Sequence, residues 1–159
     1  MTGRVLAWLT GAAALLGILA LISLMVLTVV TVTFRAIGIA FPGTYVLAEI
    51  LLIPAVSFAL AYAGWEQAHT RVELLTQTFP TRIAQISTGA MLLVGTAFWG
   101  FVAWAGIREA LRHGAQGEVT PLLDIPVAPF RWTMVAAIVL LIAVCLYRAW
   151  QYLTGRIEE

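Results

Sequence analysis

From Val5 to Phe34 the chain carries no charged residue. Nothing else in it narrows the fold as much, because a run of that length in water would be an aggregation hazard. In lipid its backbone groups must be satisfied inside the segment, which selects the α-helix. Three more such runs follow, and a bilayer core of about 30 Å asks for roughly 20 apolar residues per helix. The spans predicted are 7–32, 44–65, 83–107 and 130–152, forming a single four-helix transmembrane domain over residues 1–159. Composition agrees: 62% of the 159 residues are apolar and 11% are charged, where soluble domains carry about 25% charged residues. The fold class expected is an all-α integral membrane protein with four transmembrane helices. The first run outlasts the apolar region of a secretory signal, roughly 7 to 15 residues, and is expected to stay in place uncleaved.

Small residues mark where helices can approach. Ala13 and Gly17 sit four apart in the first span, with Ala20 and Ser23 continuing nearly the same stripe, and Thr96 and Gly100 repeat the spacing in the third. Gly38, Pro42 and Gly43 punctuate a short connection. Pro54 lies inside the second span and removes one backbone hydrogen bond, predicting a kink between Ile50 and Pro54. Arg108, Glu109, Arg112 and His113 close the third span, and Gly114 is the expected C-terminal cap. Thr120-Pro121 has the order that opens a short helical turn, with Pro126 and Pro129 stiffening the approach to the last span. Arg131 and Arg148 are placed to snorkel. Trp8, Trp65, Trp132, Trp150 and Tyr152 fall near span ends, as an interfacial belt requires.

All nine basic residues are arginine and the net charge is +1, so no polybasic face exists for nucleic acid or anionic lipid. Four spans put both termini on one side. With that side cytoplasmic, Arg4, Arg71, Arg82, Arg148 and Arg156 lie inside, against Arg35, Arg108, Arg112 and Arg131 outside, and the excess favours both termini in the cytoplasm.

Chemistry finds few residues to work with. Cys145 stands alone in an apolar run and excludes a disulfide framework or cysteine metal site. His69 follows the second span and His113 the third, so topology separates them and no haem or shared metal is expected. No nucleophile–histidine–acid arrangement or phosphate-cradling glycine loop is present, and Glu118 and Asp124 read as solvated loop acids. The expectation is a protein that is not an enzyme, with no cofactor, no metal and no substrate site of its own. Glu49 is the one ionisable group placed within a span, about one to one and a half turns from its start. It reads as an anchoring pair with an arginine at that end or as a contact to a partner subunit, with solvation at the interface or a proton carrier as alternatives. His69-Thr70-Arg71-Val72-Glu73 is the polar turn that a helical hairpin needs.

Order and spacing of these residues resemble the small membrane subunit of tripartite ATP-independent periplasmic (TRAP) transporters. The shared features are Arg35 in Thr33-Phe34-Arg35, Glu49 at the head of the second span, and His69 to Glu73 after it. Phe79-Pro80-Thr81-Arg82 and Leu123-Asp124-Ile125-Pro126 continue the match, which runs from Thr33 onward. Val46-Leu47-Ala48 stand where many members have a tryptophan and a second acid, Thr70 replaces an aliphatic residue, and Glu73 replaces aspartate. The resemblance implies a non-enzymatic scaffold subunit in the bacterial inner membrane. Its implied partners are a large multi-span transport subunit, a periplasmic substrate-binding protein and membrane lipid, in sodium-coupled uptake of organic acids. Arg35, Glu49, His69, Glu73, Arg82, Asp124 and Pro126 become candidate interface or structural residues. The chain ending at Glu159 is expected to be separate from the large subunit. Rival readings are a membrane anchor of a respiratory enzyme, which would need haem or quinone ligands, and a small homodimeric exporter with Glu49 as its coupled site.

Overall fold

A computed structural model describes residues 2–39, 42–66 and 81–154, with the side chains of residue 2 and of 81–85 outside the description. It contains four helices: α1 (Thr2–Ala36), α2 (Thr44–Trp65), α3 (Thr81–Gln116) and α4 (Ala128–Thr154). Each is long and apolar enough to cross a membrane, and the chain is a multi-pass membrane protein. The helices alternate in direction, so both termini lie at one end, here the terminal end. The described residues 37–39 and 42–43 and the connection 117–127 lie at the other, here the loop end.

Helix α1 packs on α2, α3 packs on α4, and α2 against α4 joins the two pairs. The α1 seam is a stripe of small residues: Thr10, Ala13, Gly17 and Ala20 are buried. A Cβ on Gly17 would lie 3.3 Å from the Phe58 Cβ and 3.5 Å from the Ala55 carbonyl oxygen, so the two backbones nearly touch. Ser23 leaves the stripe; it is exposed and donates to its own helix at Leu19. The α3 seam runs Gly89, Leu92, Thr96, Ala103, Gly106 and Ala110, all buried. Steps of three, four and seven keep one helix face on a partner. Gly100 lies off that line and a Cβ there would meet nothing, which corrects the pairing of Thr96 with Gly100.

Hydroxyls inside the spans serve their own helices. Thr10, Thr28, Thr31, Thr33 and Thr96 each donate to the carbonyl four residues back. That leaves these donors satisfied without crossing a seam.

The helices overrun the apolar cores at several ends. Helix α3, 36 residues or about 54 Å long, continues past Arg108 through Gly114 and stops at Gly117, whose φ is +62°. The Glu118 amide donates to His113 and the Gly117 amide to Gly114, both at 3.3 Å, the paired bonds of a Schellman cap. Gly117, not Gly114, is therefore the cap, because only there does the chain need a left-handed residue. The same device ends α1 at Gly38, with the Ile39 amide on Phe34 and the Gly38 amide on Arg35. Helix α2 runs unbroken through Pro54.

Candidate functional site

At the loop end, the connection between α3 and α4 is a built structure. Val119 and Pro126 form an antiparallel bridge, and the Val127 amide donates to Glu118. Thr120, buried, closes the tip three ways. Its amide donates to Ile125 and its carbonyl accepts from Asp124, while its hydroxyl accepts from the Ile125 amide at 3.1 Å. Thr120-Pro121 thus opens a hydrogen-bonded turn and not a helical one. Leu122 and Asp124 take positive φ, +74° and +49°. Asp tolerates that region; for Leu it costs roughly 1–3 kcal/mol. The Leu122 side chain is 77% exposed, whereas Leu123 rests on Gly43, where a Cβ would be 3.1 Å from its Cγ. The loop therefore reaches across to the head of α2.

A cluster of charges fixes the base of this loop. His113 Nε2 lies 2.7 Å from Glu109 Oε1, and Nδ1 lies against Glu118 Oε2. Arg131, in the first turn of α4, stands 3.7 Å from the same Glu118 oxygen. Glu118, exposed in the loop as a solvated acid would be, also links the end of α3 to the start of α4. The sequence signal was the Glu109–His113 spacing of four; what hid the rest was that Gly117 turns the chain back, bringing Glu118 onto His113. Arg108 is stacked on Trp104, 4.9 Å from the ring centre.

The terminal end has its own tie. Arg148 donates to the Trp65 carbonyl at 3.3 Å and lies 4.8 Å over the Trp65 ring. A cation there meets the negative end of α2, so Arg148 caps a neighbouring helix where free snorkelling was expected. Gly64 faces Leu141 so closely that a Cβ would stand 2.2 Å from its Cδ1. Gln151, buried, donates to the Tyr147 hydroxyl at 3.2 Å, and Tyr147 itself covers Gly3.

Of the candidate residues, Asp124 and Pro126 are brought together in the loop. Arg35, in the last turn of α1, and Glu49, on α2, are both exposed. Among the described residues neither makes an ion pair, with the other or with anything else. His69 and Glu73 lie outside the described residues, and Arg82 lies in the first turn of α3 with its side chain outside them. Among the described residues no group of three metal-ligating side chains forms.

Geometry thus defines a class: a four-span membrane protein whose described charges gather at the helix ends, with packed seams between and Glu49 on an outward face. A family model described as the DctQ component of tripartite ATP-independent periplasmic transporters matches residues 24–155. The chain belongs to that family, the small permease component of TRAP transporters. No curated protein and no solved structure matches it.

Proposed function

We propose that this chain is the fixed subunit of a TRAP transporter, bracing a large multi-span transport subunit in the bacterial inner membrane. In this reading both termini are cytoplasmic, and the loop end faces the periplasm, where a substrate-binding protein delivers organic acids for sodium-coupled uptake. The observation that carries the reading is the combination of family membership with seams whose described residues include no acid or histidine between the helix ends, Arg148 lying at the terminal end on the Trp65 carbonyl. A helix bundle that moved ions itself would place acids or histidines between its helices; here the described seams are small residues and hydroxyls bonded to their own backbones. The loop bridged at Val119 and Pro126, tied down through Glu118, supplies a rigid surface at the end where the binding protein would dock.

Deleting the chain in cells that keep the large subunit and the binding protein tests this. Uptake of the transported acid is expected to be lost; full uptake without the chain would end the scaffold reading. His69→Ala is expected to reduce recovery of the large subunit, because the His69 to Glu73 turn carries part of the family resemblance.

A further inference from the structure

All four helices carry exposed apolar residues, and the outward faces of α2 and α4, the helices that join the two pairs, differ in one residue. On α4, Trp132, Ala136, Val139, Ala143, Leu146 and Trp150 are exposed, and at 100° per residue they fall within about 80° of arc. The two tryptophans are 18 positions apart, about 27 Å along the axis, which matches a hydrocarbon core flanked by interfacial rings. Nothing between them ionises. This face lies about half a turn from Leu141 and Arg148, the α4 residues that meet α2. It is a lipid face.

On α2, Tyr45, Glu49, Leu52, Val56 and Ala59 are exposed and also share about 80° of arc. This stripe lies between the residues that meet α1 and α4, with Ala55 and Gly64 about a quarter turn to either side. Glu49 sits about 6 Å along the axis from Tyr45, toward the hydrophobic centre. Hydrocarbon offers a carboxylate neither a cation nor a donor. The arginines of the loop end do not serve it among the described residues: Arg108 is over Trp104, Arg131 is engaged with Glu118, and neither Arg35 nor Arg112 makes an ion pair there.

We infer that the α2 stripe is the surface on which the large transport subunit packs, and that Glu49 receives an arginine or lysine from one of that subunit's helices. A second copy of this chain fits poorly. Copies inserted in the same direction are related by a two-fold axis along the membrane normal. Joined across this stripe, they would bring two Glu49 carboxylates together at one depth, and like charges repel. A partner of different sequence with a cation at that depth satisfies the group. The inference rests on the subunit assignment above and adds to it the face, the depth and the charge of the contact.

The test uses the full chain expressed with its own large subunit, carrying a benzophenone side chain in place of Val56 or, separately, of Val139. Irradiation is expected to join the large subunit, identified by mass spectrometry, to the chain labelled at position 56 and not at position 139. Position 56 yielding only lipid adducts or a dimer of this chain would overturn the inference, as would capture of the large subunit from position 139 alone. In parallel, Glu49→Gln is expected to lower recovery of the large subunit by about tenfold and Glu49→Lys to abolish it, with Glu49→Asp close to the original. Membrane levels and thermal midpoint of each variant in detergent should match the original chain; normal recovery with Glu49→Lys would sink the charge contact. If the unaltered chain fails to co-purify with the large subunit, the subunit assignment falls and the surface with it. If it co-purifies but position 56 stays silent, only the surface falls.

Discussion

The α1–α2 and α3–α4 pairs are both antiparallel helices packed through small residues, yet they are held differently. In the first pair Gly17 faces the α2 backbone itself: a Cβ there would lie 3.5 Å from the Ala55 carbonyl oxygen and 3.6 Å from the Ala59 nitrogen. In the second the glycines face side chains: a Cβ on Gly106 would meet Val135 and Met134 at 3.4 and 3.6 Å, and one on Gly89 would stand 3.1 Å from Leu153. The polar work is done at one end, by Glu109, His113, Glu118 and Arg131. A seam made by close contact is sensitive to volume along its length; a latched seam is sensitive to charge at its latch.

Four substitutions sharpen this contrast. Gly17→Leu is expected to cost the most, roughly 1–3 kcal/mol of stability in detergent unfolding, since Phe58 and the α2 backbone leave no room for it. A neutral result would mean the helices separate freely and the close-contact account is wrong. Glu118→Ala should cost about 1 kcal/mol, small because the ion pairs are partly exposed, and should raise amide exchange at Val127, whose partner is the Glu118 carbonyl. Gly106→Ala is expected to stay within about 0.5 kcal/mol, because flexible Met134 and Val135 tips can yield. Gly100→Ala meets open space and should be neutral or slightly stabilising by helix propensity, up to about 1 kcal/mol. Destabilisation by Gly100→Ala would show that this face is packed against something in the sample.

Gly17 and Gly100 also show what could be read in advance. Both stand four residues from another small residue, and the spacing alone could not tell which face meets a neighbour. Only the run of Leu92, Thr96, Ala103 and Gly106, interrupted on the other face by Phe98 and Phe101, selects the seam. The four spans were legible because lipid demands them of any chain so apolar, and α2 begins and ends as its flanking glycine and tryptophan indicate. The end of α3 was not, since Arg108 to His113 looks like an interface yet remains good helix-forming sequence. The loop-end cluster was hidden for another reason: Glu118 reaches His113 only after a left-handed turn at Gly117. Arg148 on Trp65 depends on two helices far apart in the chain, and no local pattern reports it.

The order of packing, α1 on α2 and α3 on α4 with α2 against α4 between the pairs, has a consequence for how the chain is made. Each pair consists of neighbours in sequence, so each can enter the bilayer as a hairpin as soon as its second helix leaves the ribosome. What remains is a lateral docking of two preformed units along one long-range seam. Gly64 on Leu141, Arg148 on Trp65 and Leu123 on Gly43 mark that seam from one end to the other. Errors of synthesis that spare the hairpins would therefore show up as two inserted halves that have failed to join.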